Sequence, residues 1–445
     1  MSCLRRNGKK NVLEGFLFNL RKLARSRFVS NVAAMAGGAA AGQAVAFMFS
    51  PLITRIYTPS AFGLQGIFLS LVSILTPVVA LRYPMAIVIA RSERRAERLA
   101  RLSLWISLFV SAGVAFILLI LRDEVLAITG AEKLGSLVWL LPLALLCVGL
   151  QDVTTFRASR LAQFDLIART TVIQALLTNL ARVLGGLIAP VAGVLIIVTS
   201  VAPAVQAAML RKRMPASNDA RPGLSIRSAL MLMRAHKDFP IYRSSTDVLN
   251  SASQSVPVIM LSALYTPTAA GLYVLTRSVL NLPVNVIGAA AGNVLYARFA
   301  ELARAKEPLL PLLRRSTLAL LAMSPLVIGG AWFAPPLFAY IFGDEWREAG
   351  EYAWWMSIWI AMMIANVPSV KIVPVINRQG LSLALNIVLL LFRVSSVWLT
   401  WRLYGDAVTA VACFSISSSI VIGLSILIMY WQTAMNDSKR INGHG

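Results

Sequence analysis

Apolar blocks of about 20 residues, separated by short and mostly basic connectors, recur along the whole chain. A bilayer hydrocarbon core about 30 Å thick requires about this many apolar residues to cross it as a helix. Of the 445 residues, 58% are hydrophobic and 14% are charged, whereas soluble domains are about 45–50% apolar and about 25% charged. Membrane β-barrels would instead show alternation along each strand. The pattern therefore predicts an all-α polytopic membrane protein.

The apolar blocks predict about twelve transmembrane helices in two bundles of six. The predicted spans are residues 29–54, 62–88, 100–121, 134–156, 168–188, 191–210, 241–264, 270–297, 311–334, 350–373, 380–401 and 406–431. The predicted units are a basic amphipathic N-terminal arm (1–28), a six-helix bundle (29–213), a linker with an interfacial helix (214–240), a second six-helix bundle (241–432) and a tail (433–445).

Basic residues are distributed unequally between alternate connectors. Most of the 42 Lys and Arg residues lie in the arm, the linker, the tail and the connectors expected on the same side. The opposite connectors hold few, namely Arg55, Arg122, Lys133, Arg347 and Arg402. The positive-inside rule therefore predicts cytoplasmic termini in a bacterial inner membrane. The same rule accounts for the net charge of +23, so we exclude nucleic acid as a partner.

An eight-residue motif occurs once in each predicted bundle. Tyr57-Thr58-Pro59-Ser60-Ala61-Phe62-Gly63-Leu64 recurs as Tyr265-Thr266-Pro267-Thr268-Ala269-Ala270-Gly271-Leu272, with six of eight positions identical. Each copy lies on the turn between the first and second spans of its half, on the side predicted to be outer. Six helices separate the copies, so the halves have the same orientation in the membrane. Parallel repeats of this kind are a transporter architecture with a substrate site between the repeats.

Arginines interrupt several apolar spans. They are Arg82, Arg182, Arg277 and Arg393, with Arg55 at a helix end. Ionisable residues inside a bilayer are costly and usually face a cavity. Asp152 and Asp247 are the only acids predicted within reach of the membrane, both near the cytoplasmic face. We therefore expect a net cationic interior that binds an anion, although each arginine could instead snorkel to an interface.

Amide side chains share helix faces with these arginines. Asn281 and Asn285 follow Arg277 at helical spacing, Gln174 precedes Arg182, Asn386 precedes Arg393, and Asp247, Asn250 and Gln254 share one face of the seventh span. A guanidinium stays charged and its planar fork matches phosphate oxygens. Amides could hydrogen-bond sugar hydroxyls. We therefore predict that the five arginines bind a diphosphate or similar anion and that the amides complete the site, with Asp247 as a candidate for ion coupling.

The sequence lacks a recognisable catalytic or metal-binding pattern. His236 and His444 are the only histidines, and no phosphate-binding glycine loop or metal-ligand cluster occurs. Three cysteines lie far apart and predict no disulfide framework. We therefore expect neither an enzyme nor a bound cofactor, and a gradient of H⁺ or Na⁺ could drive transport.

Two long segments carry a resemblance to a known family. They are SPLITRIYTPSAFGLQGIFLSLVSILTPVVALRYPMAIVIARSERRA (50–96) and FPIYRSSTDVLNSASQSVPVIMLSALYTPTAAGLYVLTRSVLNLPVNVIGAAAGNVLYARFAEL (239–302). With the twelve-span plan, they make the chain similar to O-antigen-type oligosaccharide flippases. These form the polysaccharide-exporter branch of the multidrug/oligosaccharidyl-lipid/polysaccharide flippase superfamily.

The resemblance implies a transport cycle and a substrate. Two bundles would alternate access to a cationic cavity and move a polyprenyl-diphosphate-linked oligosaccharide to the outer leaflet, for O-antigen lipopolysaccharide or exopolysaccharide. The family's cavity arginines would correspond to Arg55, Arg82 and Arg277. Related sequences often carry an acid shortly after the second-helix arginine, where this chain has Pro84, so the coupling ion stays open. A polysaccharide polymerase and a chain-length regulator are expected partners, beside the membrane lipids themselves.

Two other functions fit the hydropathy pattern. A membrane polysaccharide polymerase or ligase would have similar spans, but such enzymes usually need a large outer loop and the predicted outer connectors are short. A small-molecule exporter of the same superfamily is the other alternative. The cationic interior disfavours export of cations but not of anions.

Overall fold

The computed structural model describes residues 27–129, 131–214 and 225–442. Within these ranges the chain is almost entirely helical and has no β-strand. Most of the predicted arm (1–28) and residues 215–224 of the predicted linker lie outside this description. The fold class predicted from the sequence, an all-α polytopic membrane protein, is confirmed.

Seventeen α-helices make up the described chain. Those of the first half are α1 (Arg27–Ile56), α2 (Pro59–Val79), α3 (Pro84–Ile89), α4 (Glu93–Thr129), α5 (Leu141–Arg160), α6 (Phe164–Ile188) and α7 (Ala192–Arg213). In the linker lies α8 (Ile226–Ala235). Those of the second half are α9 (Ser245–Leu264), α10 (Pro267–Arg304), α11 (Leu310–Leu321), α12 (Ser324–Ala331), α13 (Ala334–Phe342), α14 (Arg347–Ala365), α15 (Val367–Ile372), α16 (Gln379–Leu403) and α17 (Ala407–Asn442).

Ten segments of the described chain are long and apolar enough to cross a membrane. The long helices α9 and α10, of 20 and 38 residues, bring the number of spans to twelve, because at 1.5 Å per residue even α9 is about 30 Å long. Each half has its own apolar core. The linker segment predicted to form an interfacial helix is α8, and α17 continues as a helix through the predicted tail as far as Asn442.

The repeated motif starts a helix in each half. The Thr58 hydroxyl accepts a hydrogen bond from the Ala61 amide at 3.4 Å, and the Thr266 hydroxyl accepts one from the Ala269 amide at 3.1 Å. A proline follows each threonine at the first helical position, where its missing N–H costs nothing. Threonine and proline in the motif therefore define the beginnings of α2 and α10.

The glycines of the two motifs bring the halves into backbone contact. A Cβ built on Gly63 would lie 1.7 Å from the Pro267 carbonyl oxygen, and one built on Gly271 would lie 1.8 Å from the Pro59 carbonyl oxygen. The reciprocal contact places equivalent residues on a local two-fold axis, and only glycine permits so close an approach. We call this contact the repeat crossing, the end of the molecule that contains it the repeat end, and the end that contains α8 the linker end.

The second predicted span, 62–88, is divided into two helices. Its chain turns at Leu81 and Arg82, whose φ angles of 49° and 57° are left-handed, and Pro84 then starts α3. Proline cannot donate the backbone hydrogen bond that would continue α2. The tenth span, 350–373, is divided for the same reason, since α15 begins with Pro368 near its N-terminus.

Candidate functional site

A cavity of about 350 Å³ lies inside the second half, between α9, α10 and α14 to α17. We call it the C-half chamber. Its lining residues are Asn250, Ser253, Gln254, Pro257, Tyr273, Arg277, Asn281, Trp359, Met363, Asn366, Ser369, Val370, Val373, Ser382, Leu385, Asn386, Leu389, Arg393, Ile422, Ser425 and Met429. Two of these are arginines and none is an acid, so the described lining is net positive and rich in neutral hydrogen-bonding groups.

A second cavity, of about 330 Å³, lies between the halves where α2 faces α9 and α10. We call it the central groove. Its lining residues are Gly66, Leu69, Ser70, Ser73, Ser251, Gln254, Ser255, Val258, Val274, Arg277, Ser278 and Asn281. Gln254, Arg277 and Asn281 line both cavities, so they stand at the junction of the C-half chamber and the central groove.

Arg277 is fixed at this junction by a single glutamine. Its Nη1 donates to the Gln254 backbone oxygen at 2.6 Å and its Nη2 donates to Gln254 Oε1 at 2.8 Å. Among the described residues no carboxylate forms an ion pair with Arg277. Its charge is therefore held in place but not neutralised, which is the arrangement that an incoming anion can complete.

Arg393 lies deeper, on the wall of the C-half chamber. Only 6% of the residue is exposed. Its Nε donates to Ser418 Oγ at 3.1 Å, and its Nη1 donates to the backbone and hydroxyl oxygens of Ser253 at 3.2 and 3.3 Å. The guanidinium carbon is 5.2 and 5.3 Å from the ring centres of Trp359 and Phe414. Serines and aromatic faces thus accommodate a charge that no described carboxylate balances.

The polar side chains of α9 and α10 face the two cavities. The helix α9 contributes Asn250 and Gln254 to the cavities, and α10 contributes Arg277 and Asn281. Asn250, Gln254, Asn281 and Asn386, four of the six predicted amides, line the C-half chamber. Burial against a polar cavity removes the penalty that such residues would carry against lipid.

Arg82 lies apart from both cavities. It follows α2 at the linker end, where its Nε is 2.8 Å from Asp247 Oδ2 and its Nη1 is 3.8 Å from Asp152 Oδ2. Asp247 also lies 3.3 Å from Arg243. The sequence predicted these acids near the same face but not the pairing, because Asp247 comes from the other half of the chain. Arg82 therefore has its charge compensated and joins the two halves.

The other predicted arginines occupy two further environments. Arg55 lies at the repeat end and donates from Nη2 to the Tyr340 backbone oxygen at 3.1 Å, which links the two halves. Arg182 lies inside the first half, where its Nη2 donates to Thr199 Oγ1 at 3.1 Å and its Nη1 to Asn179 Oδ1 at 3.4 Å. Neither arginine lines the chamber or the groove.

Two predicted amides lie outside the two cavities. Gln174 is half-buried on α6 and lines neither of them. Asn285 is exposed on α10 and donates to Gln43 Oε1 of α1 at 3.4 Å. Asn285 lies on the same face of α10 as Arg277, but it is beyond the cavity and contacts the first half.

Sequence reasoning missed several lining residues of the C-half chamber. Trp359 was predicted only as part of an apolar span, and Asn366, Ser369 and Ser425 were not singled out. A signal for Asn366 was present in the sequence, because an asparagine two residues before Pro368 interrupts an apolar span. The serines gave no signal, since isolated serines are compatible with any membrane helix.

The two seams between the halves differ. Along α2, the second half is attached at both ends, by the repeat crossing and by the Ser244 hydroxyl, which donates to the Pro77 backbone oxygen at 2.7 Å. On the other side, Gln43 and Asn285 form a long hydrogen bond between α1 and α10. A Cβ added to Gly288 of α10, one helical turn from Asn285, would meet nothing within 4 Å. The seam between α1 and α10 is therefore the open one.

Metal binding has no support in the described part of the chain. Within it, no group of three or more His, Cys, Asp or Glu side chains could hold a metal ion. The chemistry available at the junction is that of fixed guanidinium charge, amides and hydroxyls.

The arrangement of the membrane helices is similar to that of solved transporters of the MOP superfamily. The fold is similar to that of the lipid II flippase MurJ in an inward closed conformation, with a TM-score of 0.72 over 89% of this chain and 88% of that chain at 8% identity. It is also similar to an inward-facing multidrug resistance MATE transporter of the MOP superfamily, with a TM-score of 0.61 over 92% and 95% at 13% identity. A MOP superfamily transporter from Pyrococcus furiosus, described as having a binding pocket of reverse polarity, gives 0.59 over 92% and 96% at 14% identity.

The family follows from the sequence itself. The model of the family described as "Polysaccharide biosynthesis protein" matches residues 52–351, which is more than half of the chain, and the protein belongs to that family. This confirms the resemblance found in the sequence. No curated protein sequence matches this chain significantly.

Proposed function

We propose that this protein is a flippase that moves a polyprenyl-diphosphate-linked oligosaccharide repeat unit from the cytoplasmic to the outer leaflet of the bacterial inner membrane. It would act by alternating access in O-antigen or exopolysaccharide biosynthesis. In this orientation the linker end is cytoplasmic and the repeat end is outer, which the distribution of basic residues favours. A polysaccharide polymerase and a chain-length regulator are the partners that would act on the delivered product.

The observation that carries this proposal is the position of Arg277. It lies where the central groove meets the C-half chamber. Two hydrogen bonds to Gln254 hold its guanidinium, and it has no described carboxylate partner. A guanidinium fork binds phosphate oxygens through parallel hydrogen bonds. Asn281 lines the same junction and can donate to the same group. A diphosphate placed here would neutralise the charge and leave the attached sugars and the lipid on opposite sides.

The open seam between α1 and α10 supports a lipid-linked substrate. A polyprenyl tail is apolar, so its place is the bilayer core and not a polar cavity. Elsewhere α1 packs against its own half, since a Cβ on Gly38 would lie 2.5 Å from Ala168 of α6. A seam without tight packing would let the tail remain in the bilayer while the headgroup occupies the central groove.

Closure of the outer side rests on three contacts at the repeat end. They are the repeat crossing, the hydrogen bond from Arg55 to the Tyr340 carbonyl, and the bond from Trp346 Nε1 to the Thr54 backbone oxygen at 2.9 Å. At the linker end the Arg82–Asp247 ion pair joins the halves. We infer that protonation or ion binding at Asp247 weakens this pair, so that a gradient of H⁺ or Na⁺ can drive the cycle.

Complementation of a flippase-deficient strain tests the proposal. Arg277→Ala should abolish glycan export while the protein still inserts in the membrane, and Arg277→Lys should retain part of the activity because a point charge replaces the fork. Arg402→Ala is the matched control, because Arg402 is exposed and stacks on Trp398 and Trp401 away from the cavities. Full glycan export by Arg277→Ala would show that Arg277 is not part of the substrate site. Export of small anionic drugs without any glycan export would favour the small-molecule exporter instead.

A further inference from the structure

Arg393 supplies a second fixed charge, separate from the one at the junction. Arg277 lines both cavities, whereas Arg393 lines the C-half chamber alone. Under the proposed function, a diphosphate that is tethered to a lipid in the bilayer would reach the junction through the central groove. A group that meets Arg393 therefore lies beyond the diphosphate, on the side of the headgroup that carries the sugars.

The hydrogen bonds of Arg393 leave one end of its fork free. Nε and Nη1 are bonded to Ser418 and Ser253, and among the described residues Nη2 has no acceptor. The side chain is more than nine-tenths buried and lines the cavity. A buried guanidinium with a free donor and no counter-ion is strongly favoured to bind an anionic oxygen.

The remaining lining fits a carbohydrate. Asn250, Asn366 and Asn386 offer donors and acceptors in pairs, as sugar hydroxyls require. Trp359 adds an aromatic surface to the same cavity and is held by edge contact with Phe414, the ring centres being 5.4 Å apart. A cavity of about 350 Å³ is at the lower end of the range of about 300–1,000 Å³ for small-molecule sites. It therefore suits a small part of a repeat unit.

We propose that the C-half chamber receives the sugars next to the diphosphate and that Arg393 binds the carboxylate of an acidic sugar in the repeat unit. This inference rests on the proposed flippase function and adds a specificity-determining residue to it. Arg393 would select glycans that carry a uronate-type group at that position. A neutral sugar would leave the buried charge without a partner, which is the condition that discriminates best between related ligands.

Ligand binding to the full-length protein in nanodiscs tests this assignment. The probes are sodium glucuronate, glucose and inorganic diphosphate, and the readouts are the melting temperature and the Kd at constant ionic strength. The variants are Arg393→Gln, Arg393→Lys and Arg277→Gln, with Arg402→Gln as the control for loss of one positive charge. A melting temperature for each variant without ligand shows whether it is folded.

We expect glucuronate to bind more tightly than glucose to the wild type. Arg393→Gln should weaken glucuronate about 10- to 100-fold, as loss of a charge-assisted hydrogen bond predicts, and should change the diphosphate Kd much less. Arg393→Lys should recover part of the glucuronate binding, and Arg277→Gln should weaken diphosphate most. Equal binding of glucuronate and glucose, or glucuronate binding unchanged in Arg393→Gln, would overturn the inference about the acidic sugar. Failure of diphosphate to bind the wild type would instead overturn the proposed function.

Discussion

The fifth membrane helix of each half, α6 and α16, carries one arginine deep in an apolar sequence, yet the two arginines have different surroundings. Arg182 of α6 is hydrogen-bonded to Thr199 and Asn179 inside the first half and lines neither cavity. Arg393 of α16 also lies inside its own half, but it lines the C-half chamber and has one N–H donor without a described acceptor.

The difference comes from the helices that surround each arginine. In the first half, Tyr57 donates a hydrogen bond to the Arg182 backbone oxygen at 2.8 Å, and Gln65 donates to Thr199 at 2.8 Å, so polar groups of the first half surround Arg182. In the second half, Asn366 lies at the break between α14 and α15 and lines the C-half chamber together with Ser369 of α15. The C-half chamber is lined by residues of the second half alone, whereas the central groove is lined by residues of both halves.

Replacing Arg393 and Arg182 in turn should give the largest difference in transport between the two halves. Arg393→Gln should lower transport of an acidic lipid-linked oligosaccharide by up to about a hundredfold, because a charge-assisted contact is lost. Arg182→Gln should keep transport per folded molecule within about twofold, since its contacts remain inside the first half. A vesicle transport assay normalised to folded protein measures both. Equal losses in the two variants would show that the halves contribute equally.

Substitution at the repeat crossing should have the next largest effect. In Gly271→Ala the added Cβ would collide with the Pro59 carbonyl oxygen, at a cost of about 1.5 kcal/mol, or roughly tenfold in the closed population. Gly288→Ala on the same helix is the matched control, because its Cβ would meet nothing within 4 Å. Maleimide labelling of a cysteine in place of Phe62, which packs on Trp346 at the repeat end, should be faster only in Gly271→Ala. Identical labelling in both variants would argue against the crossing as a closure point.

Charge reversal at the linker end should have a smaller effect. Arg82→Asp breaks the pair with Asp247, and a partly exposed ion pair contributes about 1 kcal/mol, or roughly fivefold. The double variant Arg82→Asp with Asp247→Arg should restore much of the loss, because the same two positions then carry opposite charges again. Cross-linking of cysteines at Pro77 and Ser244 reports the joined state. No recovery in the double variant would indicate that Asp152 and Arg243 hold the site independently.

Substitution at the open seam between α1 and α10 should have the smallest effect on transport. Gln43→Ala removes one long hydrogen bond to Asn285, and both residues are exposed, so we expect transport within about twofold of wild type. The same assay as for the two arginines measures it. A loss of transport of tenfold or more would mean that α1 and α10 must stay in contact during the cycle. That result would contradict the proposal that the lipid tail passes between them.

Much of the fold could be predicted because its signals are local. Thr58-Pro59 and Thr266-Pro267 mark helix starts in the sequence, and the spans follow from apolar length. The division of the second span was harder, since it depends on the left-handed turn at Leu81 and Arg82. Proline alone did not show it, because Pro77 lies within α2 without ending it.

The site could be predicted only in part, because its contacts are distant in sequence. Helical spacing predicted that Arg277 and Asn281 share one face of the same helix, and both line the C-half chamber. The contact between Gln254 and Arg277 joins two helices, and spacing along one helix did not predict it. Nothing in the sequence showed that Arg82 would meet Asp247 of the other half, or that Arg182 and Arg393 would differ. Both outcomes depend on how helices from separate parts of the chain pack.

The central claim is that Arg277 holds the diphosphate of a lipid-linked substrate as it crosses the membrane. Its most direct test is the translocation of a fluorescent polyprenyl-diphosphate-linked oligosaccharide in proteoliposomes, followed by a quencher that cannot cross the membrane. The wild type and Arg402→Gln should expose the label at the same rate, and Arg277→Gln should be slower by about tenfold or more. Translocation by Arg277→Gln at the wild-type rate would contradict the account.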